Sequence, residues 1–186
     1  MKRIFDLLLG VAILVFLVAP MLLISIAVRL SSKGPALYWS DRVGKNNAIF
    51  KMPKFRSMRI DTPAVATHLL GNPDAYLSPI GGFLRRSSLD ELPQLFSVLK
   101  GDMSFVGPRP ALYNQEDLTT LRSEKGVDKL LPGITGWAQV NGRDELSISD
   151  KVVLDVEYLN RQSFWFDIKI LWMTFLKVVR RDGVSH

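Results

Sequence analysis

The stretch Leu7–Val28, LLLGVAILVFLVAPMLLISIAV, runs for 22 residues without a charge. As a straight helix it would be about 33 Å long, one hydrocarbon thickness of a bilayer. A cleavable signal peptide would have a shorter apolar region followed by a small-x-small site. Here the run is long and Val28-Arg29-Leu30 is a poor site, so a retained membrane segment is expected. Lys2 and Arg3 flank one end; Arg29, Lys33, Arg42, Lys45, Lys51, Lys54 and Arg56 follow the other. The positive-inside rule pulls both ends toward the cytoplasm. A straight span cannot satisfy that, whereas a helix that enters, bends and leaves by one face can. Pro20 lies inside the run, removes a backbone hydrogen bond and obstructs the preceding turn. Ser25, further along, has a hydroxyl that could cap a freed carbonyl. An ordinary span with a proline kink is the alternative.

Composition narrows the rest. The chain has 186 residues, 47% of them apolar, enough for one domain with a core. It has no cysteine, which excludes a disulfide scaffold, a thiol nucleophile, a Cys-ligated zinc and an iron–sulfur cluster. Its two histidines, His68 and His186, argue against a Ser-His-Asp triad or a His-rich metal site. Chemistry is left to carboxylates, basic residues and a hard cation. The net charge of +6 points to an anionic partner, and residues beyond 30 still carry 21 basic against 17 acidic side chains. Those residues read as one α+β domain, mainly helical, without repeats.

Within it, Ala36–Trp39 and Ala48–Phe50 look like short strands around the turn Gly44–Asn47. Asp61–Pro79 reads as a polar loop with one helical turn near His68. Glu91–Leu99 is predicted helical, with Leu92, Leu95, Phe96 and Leu99 on one face. Pro108–Pro110 and Pro132–Gly136 read as rigid loops, and Ile148–Asn160 as a helix. Phe164–Arg181 is a helix rich in Trp and Phe interleaved with Lys169, Lys177, Arg180 and Arg181. That pattern suits a helix lying in a membrane interface; a buried core helix with a basic tail is the competing reading.

Candidate chemistry converges on Arg85–Pro110, RRSSLDELPQLFSVLKGDMSFVGPRP. Ser88-x-x-Glu91 matches a capping box, but would put Pro93 where its missing N–H and its ring are unfavourable. With Asp90 as N-cap, Pro93 falls at the third helical position, where the N–H is unpaired anyway. Asp90 would then sit at the positive end of the helix dipole, which favours its ionised form and makes a phosphate site. Glu91 follows, Arg85 and Arg86 precede, and the GPRP loop supplies Arg109. A structural cap is the plain reading of such a dipeptide, and Asp144-Glu145 shows how common the pair is. The nearby arginines and the membrane segment favour more: an ionised carboxylate facing a phosphate clamp suits attack on phosphorus or cation binding.

The block SSLDELPQLFSVLKGDMSFVGPRP, followed by LPGITGWAQVNGR, strongly resembles the bacterial sugar transferase family. These are the monotopic phosphoglycosyl transferases that begin glycoconjugate assembly on polyprenyl phosphate. The resemblance covers nearly the whole chain: Lys54-Phe55-Arg56-Ser57-Met58 and Ser78-Pro79-Ile80-Gly81 look like family elements. Asp155, Tyr158, Ser163 and Asp167 fall where members carry similar residues, and Asp182-Gly183-Val184-Ser185 is typical.

The resemblance implies a re-entrant membrane helix-break-helix over residues 1–30, broken at Ala19-Pro20. Residues 31–186 would form a small cytosolic catalytic domain with interfacial amphipathic helices around it. It places the protein on the cytosolic face of the bacterial inner membrane, in contact with phospholipid. It implies that Asp90 attacks the β-phosphorus of a nucleoside diphosphate sugar, by family analogy a UDP-sugar. The phosphosugar would pass through Asp90 to polyprenyl phosphate, releasing the nucleoside monophosphate. Glu91 would hold Mg²⁺, Arg85 and Arg109 would bind phosphate oxygens, and Lys54, Arg56 and Arg143 are weaker candidates for substrate contact, with solvated surface charge as their alternative.

Asp41, Asn47 and Pro53 depart from what many relatives carry. Trp137 is a candidate for a base or sugar contact, or simply core. A membrane-anchored scaffold with Asp90 as a cap, a hydrolase and a basic nucleic-acid binder are the competing functions. The last is disfavoured because the basic residues flank apolar runs and no nucleic-acid motif is present. Self-association is left open, and no residue reads out the sugar.

Overall fold

The computed structural model describes residues 1–63, 72–142 and 146–180. It is mainly helical, with two small two-stranded sheets. Helix α1 covers Lys2–Ser31 without interruption in its assignment, Pro20 included. The break expected at Ala19-Pro20 is therefore not a loop; the helix continues through it. Strands β1 (Leu37–Val43) and β2 (Ile49–Phe55) form an antiparallel hairpin. They are longer than the predicted strands because the hairpin packs against α1 and the helix at Gln94–Lys100.

The hairpin explains two of the three departures. Asn46 and Asn47 have φ of 54° and 59°, a left-handed conformation that Gly and Asn tolerate best. Asn47 also donates through Nδ2 to Ser123 Oγ at 2.9 Å, tying the tip to a later helix. Asp41 lies opposite Lys51, 3.6 Å from its ammonium, in an exposed cross-strand pair. Nothing in the structure explains Pro53.

Helix α2 (Gly81–Arg86) precedes a 3₁₀ turn, Leu89–Glu91, and α3 (Gln94–Lys100) follows. Gly81 is obligatory: a Cβ there would lie 1.8 Å from the Ser57 carbonyl oxygen. Gly81→Ala is expected to destabilise the fold by about 3 kcal/mol or more. A thermal melt should show a midpoint lower by roughly 6 °C or more.

Strand β3 (Ser104–Val106) pairs in parallel with β4 (Gly133–Thr135), between which lies α4 (Glu116–Glu124). The segment read as a rigid loop at Pro132–Gly136 is thus partly strand. Then come α5 (Trp137–Asn141), α6 (Ile148–Arg161) and α7 (Phe164–Arg180). The last two match their predicted spans closely. The main core gathers Leu95, Val98, Met103, Phe105, Val106, Tyr158, Phe166 and Ile170 from α3, β3, α6 and α7 and the loop before β3.

Helix α1 packs its first half on this core and its second half in a smaller cluster with Phe55 and Leu84. Asp6, Gly10, Met21 and Val28 are buried, and Leu14, Leu17 and Ile24 pack against the same clusters. These positions form one stripe at helical spacing. Asp6 accepts the Phe105 N–H at 3.2 Å, and Lys2 binds Asp167 at 2.6 Å. Arg3 donates to the carbonyls of Val98 and Leu99, the carbonyl end of α3. The opposite face of α1 (Leu8, Val15, Phe16, Leu22, Leu23 and Ile26 among others) is exposed. By length and composition α1 is apolar enough to cross a membrane.

Helix α7 has one buried face and one exposed apolar face. Phe166, Asp167 and Ile170 are buried, while Trp165, Trp172, Phe175, Val178 and Val179 are exposed.

Candidate active site

The 3₁₀ turn Leu89–Glu91 carries the Asp-Glu pair. Ser88 adopts a left-handed φ of 55° and turns the chain out of α2 into it. The sequence puts Asp90 at the N-cap of α3, and the structure does not. Pro93 holds that position, because without an N–H it cannot join the i to i−4 ladder. The chain instead makes i to i−3 bonds, Glu91 N to Ser88 O and Leu92 N to Leu89 O. Neither the turn nor α3 takes a side-chain capping bond. Structural capping therefore does not account for Asp90.

Asp90 is 7% exposed. Burial pushes its carboxyl above the ordinary aspartate value; Lys54 and Arg85 pull it down and Glu91 pushes it up. The helix-dipole argument for a readily ionised Asp90 does not apply, since Asp90 lies in the 3₁₀ turn and not at the N-cap of α3. Glu91 behaves oppositely. Burial raises it, but Arg109 and Lys54 outweigh burial and hold it well below the usual carboxylate range. Lys54 Nζ donates to Glu91 Oε1 at 2.8 Å and Arg109 donates to the same oxygen at 3.1 Å.

Three segments far apart in sequence build this group. Lys54 comes from β2, Glu91 from the turn and Arg109 from the loop after β3. The Arg109 carbonyl is held at 2.8 Å by Arg122 of α4. Arg122 is itself clamped by Asp155 of α6 at 2.7 Å, a pair with side chains 11% and 2% exposed. Arg42, not foreseen from the sequence, also reaches the site. It lies on β1 on the face that carries Lys54, since Tyr38 pairs with Lys54 and Arg42 with Phe50. An odd-even count along Tyr38, Ser40 and Arg42 was the available signal.

Arg56, expected to contact substrate, is directed elsewhere. It is 6% exposed and donates to the Ser32 and Lys33 carbonyls and to Ser32 Oγ, closing the C-terminal end of α1. Arg143 lies outside the described residues. Trp137 donates to Glu157 at 2.8 Å and packs on Phe166, at the rim of the core.

Among the described residues no cluster of three His, Cys, Asp or Glu side chains is present. Asp90 and Glu91 are the carboxylates that could hold Mg²⁺, an ion that takes one or two of them and completes its shell with substrate phosphates and water. The surrounding Lys54, Arg85 and Arg109 suit a polyanionic substrate.

Residues 1–181 match the family described as Bacterial sugar transferase. The chain is 42% identical over 189 residues to an undecaprenyl-phosphate glucose phosphotransferase of Komagataeibacter xylinus, covering 96% of this chain and 36% of that protein. It is 41% identical over 185 residues to UDP-glucose:undecaprenyl-phosphate glucose-1-phosphate transferase of Escherichia coli K12, covering 95% of this chain and 40% of that one. An uncharacterized sugar transferase of Bacillus subtilis, EpsL, is 39% identical over 187 residues, covering 100% of this chain and 91% of its own length. The chain thus spans well under half of the first two relatives and nearly all of the third.

Proposed function

Given that the chain belongs to the bacterial sugar transferase family, we propose that it transfers a phosphosugar from a UDP-sugar to polyprenyl phosphate. The observation that carries this is a buried Asp90 beside Glu91, which is held ionised by Lys54 and Arg109. The relatives named for undecaprenyl phosphate and UDP-glucose supply the substrate class.

In the first step an Asp90 oxygen attacks the β-phosphorus. The bond from that phosphorus to the bridging oxygen breaks, and nucleoside monophosphate leaves with the oxygen. In the second, a polyprenyl phosphate oxygen attacks the same phosphorus, the acyl-phosphate bond breaks, and Asp90 is regenerated as polyprenyl diphosphosugar leaves. Lys54 and Arg85, the cations acting on Asp90, favour its ionised form and bind the transferring phosphoryl oxygens. Arg109, braced by Arg122, binds on the Glu91 side. Mg²⁺ held by Glu91, with Asp90 adjacent, would supply charge neutralisation of the diphosphate and leaving group.

The site lies at the cytosolic face of the bacterial inner membrane, with α1 entering and leaving by that face. This topology is supported by the stripe from Asp6 to Val28 docked on one soluble body, and by Arg3 and Arg56 holding opposite ends of α1 to that body. The exposed apolar faces of α1 and α7 then meet phospholipid. The chain has no native cysteine, so single cysteines at Lys2 and Lys33 report topology cleanly. Both should react with an impermeant reagent from the cytosolic side only; opposite accessibility would reject the re-entrant arrangement.

The test of function is nucleoside monophosphate release across a panel of UDP-sugars, with polyprenyl phosphate and Mg²⁺. Release with at least one sugar is expected, and none with any sugar would sink the proposal. The first step needs ionised Asp90, whose carboxyl burial has raised. Its rate should therefore fall as pH drops, with a midpoint above the ordinary aspartate value, as a pH–rate profile of kcat/KM would show.

A further inference from the structure

Arg42 is a guanidinium that the steps above leave unused. Its Nε donates to Ser40 Oγ at 3.0 Å and its NH1 to the Pro110 carbonyl at 3.3 Å. The end of β1 is sewn to the same loop by a bridge from Arg42 to Leu112 and by the Val43 N–H on the Ala111 carbonyl at 3.0 Å. Arg42 is thus fixed beside Arg109 by backbone and side chain together. Among the described residues no carboxylate forms an ion pair with it. Burial and the like charge of Arg109 push it down to about 10, against the pull of Glu91. Lys54, Arg109 and Arg42 therefore share one firmly ionised carboxylate. A partly buried surplus of positive charge is unfavourable in the free protein and favourable once an anion enters.

The cations are spread unevenly about the two carboxylates. Lys54 reaches both, bonding Glu91 and acting on Asp90, and Arg85 acts on Asp90; Arg109 bonds Glu91, and Arg42 lies beyond it, on the Pro110 carbonyl. We propose that Arg42, together with Arg109, seats the phosphate of the departing nucleoside monophosphate. This rests on the assignment of Asp90 as the group that attacks the β-phosphorus. It puts the transferring phosphoryl group at the Asp90 end and the leaving phosphate at the β1 end. Arg42 then acts in the first step and in product release, and polyprenyl phosphate makes no use of it.

The test uses the full chain in detergent micelles, with UMP and uridine as equilibrium-binding probes, for the parent chain, Arg42→Gln, Arg42→Lys and Asp90→Asn. The parent should bind UMP more tightly than uridine. Arg42→Gln should weaken UMP by about tenfold or more, the size of one charge-assisted hydrogen bond. Arg42→Lys should weaken it less, since the ammonium keeps the charge but not the planar fork. Uridine binding and kcat/KM for polyprenyl phosphate should stay unchanged in both. Parent-like UMP affinity in either variant overturns the seat, as does a loss in kcat/KM for polyprenyl phosphate. Turnover by Asp90→Asn would overturn the attacking role of Asp90, whereas UMP binding reports on Arg42 whether or not that role stands.

Discussion

Asp90→Asn is expected to lower nucleoside monophosphate release by about 10³-fold or more while leaving the fold intact. The two halves of that expectation have separate causes. Asn has no anionic oxygen to attack phosphorus, so covalent transfer stops. The structural loss is small, because the Asp90 side chain caps neither the 3₁₀ turn nor α3. Its carboxylate also bears a desolvation penalty that a neutral amide avoids. A melting midpoint within roughly 2 °C of the parent is expected, the range of substitutions that remove no packing. A scaffold with a merely structural Asp90 predicts no loss of turnover, since Asn fits the same space.

Glu91→Gln is expected to damage both activity and stability. Glu91 Oε1 accepts from Lys54 and Arg109, and its side chain is only 18% exposed. Removing its charge leaves two partly buried cations facing each other, with Arg42 close by. Breaking such a pair costs about 3 kcal/mol, a fall in melting midpoint of roughly 6–12 °C for a chain of this size. The pH dependence has a definite sign. The folded carboxyl lies below its unfolded value, so its stabilisation is complete above the ordinary glutamate range. It is lost as pH falls through the folded value. Parent and Glu91→Gln melts should therefore differ most near neutrality and converge in acid. Turnover should drop as well, since Glu91 positions Arg109 and is the candidate Mg²⁺ ligand.

How much of this was legible in the sequence depends on the range of the forces involved. Helices α6 and α7 and the apolar run of α1 are set by local periodicity, and the structure places them where that periodicity pointed. The candidate carboxylates and Arg109 were legible as a cluster. Their roles within it were not, because the electrostatics reverses between neighbours: burial dominates at Asp90 and ion pairing at Glu91. Arg56 was misplaced for a similar reason. One guanidinium beside a motif looks like a substrate contact, yet its hydrogen bonds run to the end of α1. The three-residue strands β3 and β4 carry no periodic signal, since pairing across an intervening helix defines them. Asp6 went unread as well. One acid before a long apolar run gives no hint that it meets the Phe105 N–H, 99 residues on.

The central claim is that the phosphosugar rests covalently on Asp90 between the two steps. Intact-protein mass spectrometry tests it most directly: the chain is mixed with the active UDP-sugar and Mg²⁺, without polyprenyl phosphate. The expected result is a mass gain of one phosphosugar, mapped by peptide analysis to Asp90, absent in Asp90→Asn and discharged on adding polyprenyl phosphate. If the unmodified mass persists while turnover proceeds once both substrates are present, transfer is direct and the covalent role of Asp90 is contradicted.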